Sequence, residues 1–290
     1  MGHNHSYKNL KIAFFLNLIF TIIEIIGGLY VNSMAIIADA IHDLGDSLSL
    51  GTAWFLQVKS NKKADKNFTY GYRRFSLFGA LINSTILIAG AIYAIFETVE
   101  RFMSPQIPNA KGMMWLAFLG IVVNGYAAWK LSSGKSMNEK VVSWHLLEDV
   151  LGWIAILIVS IVLQFKEIAY LDPALSLAIT LYILWNAIKK LKETLFLFLQ
   201  GKPKELDKNK IISEIIALEG VQSTHDTHIW SLDGEHHVFS THVKLKAITS
   251  FSEYKEIKKS IKNVMKNYSF EHYTIETDLD DEFCSFENEL

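Results

Sequence analysis

A single cysteine in 290 residues, Cys284, cannot form an intramolecular disulfide, so no bridge framework holds this chain together. Only 20% of the residues are charged against 50% apolar, which excludes a disordered chain. There is no internal repeat of roughly 20 to 50 residues and no low-complexity tract. The stretch Met1-Gly-His3-Asn-His5 leads into an apolar run without a small-residue cleavage site, so that run reads as a retained span and not as a signal peptide. Basic charge is lacking at the C-terminal end: residues 203–290 carry 10 Lys and Arg against 17 Asp and Glu, whereas 1–202 carry 18 against 13. An acidic tail argues against nucleic acid as a partner.

What the sequence does have is long apolar runs, each about long enough to cross roughly 30 Å of hydrocarbon as a helix. Spans are expected near Ile12–Val31, Met34–Val58, Phe75–Val99, Met113–Leu131, Val141–Phe165 and Leu171–Ile188, the last with a helical pattern that runs on toward Gln200. Six spans return the chain to the side on which it began. Lys59, Lys62, Lys63, Lys66, Arg73 and Arg74 follow the second span, and Lys130, Lys135 and Lys140 follow the fourth, while Asn32-Ser33 carries no charge. Positive-inside bias places both termini in the cytoplasm. Trp54, Trp115, Trp129 and Trp144 near span ends read as interfacial anchors.

Past Gly201 and Pro203 the composition becomes that of a small soluble domain. Helical spacing is expected over Leu206–Leu218 and Ser252–Asn267, and alternation over Thr224–Ser231, His236–Leu245 and His272–Thr277, with a turn at Asp233-Gly234. The expected architecture is an all-α six-span transmembrane bundle over 1–202 and a cytoplasmic α+β domain over 203–290. Such a small domain has a modest core and gains from burying one face in a partner subunit.

Ionisable side chains that interrupt apolar spans are costly and mark pathways. They are Glu24 in the first span, Asp39, His42, Asp43 and Asp46 in the second, and His145, Glu148 and Asp149 in the fifth; no Lys or Arg lies inside these three. Such carboxylates must be protonated, hydrated or bound to a cation. His42 and Asp46 are four residues apart, as are His145 and Asp149, so each pair projects from one helix face. Two such faces opposed offer two imidazole nitrogens and two carboxylate oxygens. That set suits tetrahedral zinc, and accepts cobalt or cadmium with less preference; magnesium and calcium want more oxygens. Asp39 is expected beside the ligands, Asp43 and Glu148 about 100° off the ligand face, and Glu24 at a cavity or between spans.

The stretch Asn32-Ser-Met-Ala-Ile-Ile-Ala-Asp-Ala-Ile-His42-Asp-Leu-Gly-Asp46 resembles the second span of the cation diffusion facilitator family, in its zinc-transporting branch. Asn17 with Glu24 resembles that branch's first span, and Thr69-Tyr-Gly-Tyr-Arg-Arg-Phe75 the approach to its third. Ser143-Trp-His145-Leu-Leu-Glu-Asp149 resembles its fifth, and Asp172-Pro173 with Gly201-Lys-Pro203 bracket its sixth. The resemblance implies a homodimeric exporter that exchanges cytoplasmic zinc for protons through His42, Asp46, His145 and Asp149. It also implies a ferredoxin-like, metallochaperone-like cytoplasmic domain. Histidine at 42 is, by the same resemblance, the mark of zinc preference over cadmium. The histidine-rich loop of vesicular relatives is absent, since Ser132–Lys140 has no His, which favours a bacterial cell-membrane exporter.

Six histidines lie in the tail: His225, His228, His236, His237, His242 and His272. The resemblance implies a second zinc site built from His225, His242, His272 and Asp278, with Cys284 a further candidate as a cytoplasmic thiolate. Its usual Gln and Glu are replaced here by Glu276 and Asp278. His228, His236 and His237 are equally well explained as surface polarity, and His3 and His5 as solvated. Two other readings compete: an intramembrane metal-dependent enzyme, against which the sequence lacks His-x-x-x-His and His-Glu-x-x-His pairs, and a membrane-anchored metal sensor, which leaves the buried ligands unexplained.

Overall fold

Asn32 ends the first helix by taking a left-handed backbone (φ 59°), a conformation asparagine tolerates better than most residues. The computed structural model describes residues 2–60, 62, 64–132, 137–280, 282 and 284. Side chains are described for 14–48, 51, 62, 64–132, 142–280, 282 and 284, so His3, His5 and Trp54 lie outside them. Helices α1 (Gly2–Val31), α2 (Met34–Ser60), α3 (Phe75–Met103), α4 (Ala110–Ser132), α5 (Met137–Phe165) and α6 (Leu171–Phe198) fill the first two thirds of the chain. Several run past the expected spans, as α6 does through Lys189, Lys190, Lys192 and Glu193. A helix need not stop where its apolar stretch stops.

Among the described residues, five helices are long and apolar enough to cross a membrane: α1, α3, α4, α5 and α6. Helix α2 falls short because Asp39, His42, Asp43 and Asp46 interrupt its apolar run. The chain divides into two compact units, Met1–Leu56 with Gly79–Leu191, and Gln57–Phe78 with Lys192–Leu290.

In the first unit, Phe20 and Val31 of α1, Ala35 and Ile36 of α2, Met113 and Ala117 of α4, and Trp153, Ile156 and Leu163 of α5 form one buried cluster. Helices α4 and α5 pack extensively against each other. Small residues permit the close approach of helices on which membrane packing depends: a β-carbon at Gly120 would overlap the Trp153 ring, and one at Gly45 would overlap Leu87 of α3. Outward positions such as Ile22, Ile26, Phe96, Trp115, Trp129 and Trp144 remain exposed, as a lipid-facing surface requires.

The second unit contains α7 (Lys208–Ile216), β1 (Val221–Ser231), β2 (His237–Leu245), α8 (Phe251–Met265) and β3 (Phe270–Asp278). The order of elements is the expected one, an α+β domain. Asp207 caps α7 by accepting from the backbone N–H groups of Asn209 and Lys210, and Ser250 caps α8 by accepting from Glu253. The sheet order is β1-β2-β3, antiparallel between β1 and β2 and parallel between β2 and β3, with α8 as the crossover a parallel pair demands. Ile211, Ile215, Val221, Ile229, Phe239, Val243, Leu245, Ile257, Ile261 and Met265 fill its core.

The loop joining α2 to α3 belongs to this unit. Asp65 knots it by accepting from the N–H groups of Asn67 and Phe68 and from the Tyr72 hydroxyl at 2.6 Å. Arg73 donates to Glu271 of β3 at 2.9 Å, and the Tyr70 ring stands edge-on to Trp230 of β1 and His272 of β3.

Candidate functional site

The i,i+4 pairs on α2 and α5 face each other. His145 Nε2 lies 2.5 Å from Asp46 Oδ2, His42 Nε2 lies 3.4 Å from the same oxygen, and both rings stand 4.0 Å from the Asp149 carboxylate. The two imidazoles are 5.5 Å apart, centroid to centroid, and nearly perpendicular. His42, Asp46 and His145 can each offer one atom to a common point, the three atoms lying within 4.8 Å of one another; Asp149 sits at the edge of that group. Asp46 and Asp149 are buried, and among the described residues Asp149 Oδ2 has no hydrogen-bond donor.

Around this cluster the remaining acids separate. Glu148 is exposed and only 4.0 Å from His145 Nδ1. Asp39, Glu24 and Asp43 are buried, and among the described residues one oxygen of Asp39 and both oxygens of Glu24 and of Asp43 have no hydrogen-bond donor.

One contributor escapes sequence reasoning. Asp172, at the start of α6, caps the N-terminus of α2: its carboxylate accepts from Met34 N–H at 2.7 Å, Ala35 N–H at 3.4 Å and the Ser33 hydroxyl at 2.6 Å. A carboxylate at a helix N-terminus satisfies free N–H groups and complements the helix dipole. Asp172 therefore fixes the helix that carries His42 and Asp46. The sequence marks Asp172-Pro173 as a landmark at the start of the sixth span, but nothing in it points to the cap on α2.

The tail cluster is built on strands. His225 of β1 and His242 of β2 are directly paired in the antiparallel register, with ring centroids 5.1 Å apart. Asp278 Oδ2 lies 3.4 Å from His225 Nε2 and 3.3 Å from His242 Nδ1, and Cys284 Sγ lies 3.5 Å from His242 Nδ1. These four residues form a group able to converge on one ion. Among the described residues, neither buried ring nitrogen of His225 has a hydrogen-bond partner.

His272 departs from the set implied by the resemblance. It pairs with Val238, whereas Glu276 is the residue of β3 opposite His242. Four residues along a strand is about 13 Å, too far for a shared ion. The His272 ring instead meets Tyr70 at 5.7 Å and Thr274. Two acids outside the implied ligand set stand nearer: Glu276, marked in the sequence only as a replacement, at 3.7 Å, and Asp226, which the sequence does not single out, at 4.0 Å from His242 Nε2. Asp226 sits at a register break in β1 with a left-handed backbone (φ 46°). His228, His236 and His237 are held by Asp226, Asp233 and Ser231, respectively. Burial pushes the His237 imidazole below its ordinary value.

Comparison with known proteins accords with this arrangement. A family model for the cation efflux transmembrane domain matches residues 10–199, and one for the cytoplasmic domain of cation efflux proteins matches 203–279. The chain belongs to the cation efflux family: it is an integral membrane transporter of metal cations. It is 33% identical over 284 residues to the cadmium, cobalt and zinc/H(+)-K(+) antiporter of Bacillus subtilis, covering 95% of this chain and 91% of that protein. It is 32% identical over 286 residues to the metal cation efflux system protein CzcD of Cupriavidus metallidurans, covering 96% and 90%. It is also 28% identical over 295 residues to the zinc transporter ZitB of Escherichia coli, covering 95% and 92%.

Proposed function

We propose that this protein exports zinc from the cytoplasm in exchange for protons, through a site made by His42, Asp46, His145 and Asp149. The observation that carries the reading is that His42, Asp46 and His145, from two helices, can reach one point within the apolar unit, with Asp149 4.0 Å from both imidazoles. Zinc requires neutral imidazole and ionised carboxylate, so the metal and protons compete for the same lone pairs. The 2.5 Å contact between His145 Nε2 and Asp46 Oδ2 is where that competition is most direct, because a proton between them occupies both ligand atoms. Loading from a near-neutral cytoplasm and discharge toward a more acidic exterior follow.

In this reading α2 is a sixth span, its carboxylates tolerated because they hold cations, and both termini face the cytoplasm. The protein works as a homodimer whose ferredoxin-like tail, residues 203–290, binds zinc through His225, His242, Asp278 and Cys284 and adjusts transport. Cobalt and cadmium are secondary substrates. Following the name of the Bacillus subtilis relative, potassium joins protons as a counter-ion. The test is zinc uptake into inverted membrane vesicles with an imposed pH gradient. Uptake that accelerates with the gradient and moves protons the other way supports the proposal; zinc movement indifferent to the gradient contradicts it.

A further inference from the structure

The end of α6 has features that metal transport does not use. At 28 residues the helix is about 42 Å long, close to the roughly 40–45 Å of a bilayer counted through both headgroup layers. Past Lys189, Lys190 and Lys192 it turns apolar again, and Leu195, Phe196, Phe198 and Leu199 are all exposed. These four cover roughly half of the helix circumference. Leu197 points the other way, to the Asp233-Gly234 turn, 3.5 Å from where a β-carbon on Gly234 would sit. Gln200 then closes the helix with a left-handed backbone (φ 66°), and the Gly201 N–H reaches back to the Phe196 carbonyl at 2.8 Å. One side of the helix end thus rests on the tail, and the rest is an apolar surface suited to lipid.

Beside this turn lies a cavity of about 300 Å³, lined in part by Gln200, Lys202 and Lys208, and by His228 and Trp230 of β1. None of its lining residues is acidic, although acids outnumber bases by 17 to 10 over residues 203–290. Asp226 engages His228 at 2.6 Å, so the uncompensated charge of the cavity is that of the two lysines. Lys202 Nζ donates to the Leu206 carbonyl at 2.9 Å, and among the described residues no carboxylate lies within ion-pair reach of either ammonium.

We infer that this cavity binds a phosphate group, and that the phosphate is the headgroup of an anionic phospholipid. Two ammonium groups without a carboxylate call for an anion, and lysines just beyond a membrane span attract acidic lipids. Trp230 adds a ring with one N–H donor, the kind of side chain that settles at headgroup level. The length of α6 brings its end to that level, and the exposed Leu195, Phe198 and Leu199 offer a surface for the acyl chains. A phosphate free in solution uses the lysines but leaves that apolar surface without a partner. A lipid seated here ties the joint between the last helix and the tail to the membrane surface.

The test is lipid binding to the purified full-length chain in uncharged detergent, with retained lipid counted by native mass spectrometry. Phosphatidylglycerol is the probe, phosphatidylcholine the lipid without net charge, and glycerol 3-phosphate the soluble source of the same phosphate. Phosphatidylglycerol should be retained in preference to phosphatidylcholine and should resist an equal concentration of glycerol 3-phosphate. Lys202→Gln and Lys208→Gln should each weaken it about fivefold, and together about twenty-five-fold, from about 1 kcal/mol per lysine near the membrane surface. Removing the same charge from α8, by Lys259→Gln with Lys262→Gln, is expected to leave binding unchanged. Leu199→Ser should weaken the lipid without lysine loss, and serves if the double lysine variant fails to fold. Equal retention of the two lipids overturns the inference, as does an α8 pair that weakens binding as much as the cavity pair, which would make the effect one of overall charge. Displacement by glycerol 3-phosphate, with binding indifferent to Leu199→Ser, overturns the lipid as the source. None of these readouts uses zinc, so the outcome is separate from that of the exchange reading.

Discussion

The two histidine clusters use similar side chains on different backbones. In the apolar unit each pair is fixed along its own helix by the i,i+4 repeat, and α2 and α5 meet at the site through side chains. In the tail, His225 and His242 sit opposite each other in a hydrogen-bonded ladder, so the distance between them is set by the backbone. A ligand set divided between two packed helices can open and close as the helices shift; one fixed across paired strands cannot. The first suits an ion that must leave, the second an ion that stays.

This contrast yields graded predictions. Asp46→Ala or His145→Ala should reduce zinc flux by at least about a hundredfold, the upper end of what losing an outer-shell partner costs, while zinc retained by the tail is unchanged. Equal losses at both sites would erase the distinction. Asp172→Ala comes next, because it strips Ser33, Met34 and Ala35 of their partner. At about 1–3 kcal/mol for each buried group left unsatisfied, it should lower the thermal midpoint in detergent and weaken zinc binding at the membrane site. His225→Ala with His242→Ala should remove tail zinc, counted per chain by metal analysis, yet leave measurable flux. His42→Asp should admit cadmium while retaining zinc transport, measured by competing uptake; equal cadmium transport by the unmodified protein contradicts this.

The smallest effect is expected at Asp65, which lies outside both clusters. The Tyr72 hydroxyl, followed by the Phe68 and Asn67 N–H groups, holds its carboxyl well below the usual range. A depressed value in the folded state stabilises above the unfolded carboxylate value, about 3.9, and that contribution is lost as pH falls through the folded value. Asp65→Asn should therefore shift the thermal midpoint slightly and equally from neutral pH down to about 5, the difference narrowing only in stronger acid.

How much of this could be read from the chain depends on how far apart the partners lie. The apolar runs and the His-x-x-x-Asp spacings are local, so the helices and the faces bearing His42, Asp46, His145 and Asp149 are legible. The order of tail elements follows from local periodicity as well. The Asp172 cap joins residues more than a hundred positions apart, and no spacing announces it. His272 misleads for a related reason: its place depends on the register of β3 against β2, which puts Glu276 opposite His242. Asp226 is drawn toward His242 by a break in β1 that alternation does not foretell.

The most direct test is zinc X-ray absorption spectroscopy on the full-length protein carrying His225→Ala, His242→Ala and Cys284→Ser, so that only the membrane site can hold the metal. The account predicts one bound zinc with nitrogen and oxygen ligands alone, two of them imidazoles, and loss of that signal on adding His145→Ala. Absence of bound zinc in the folded, membrane-inserted protein, or a spectrum unchanged by the His145 substitution, would contradict it.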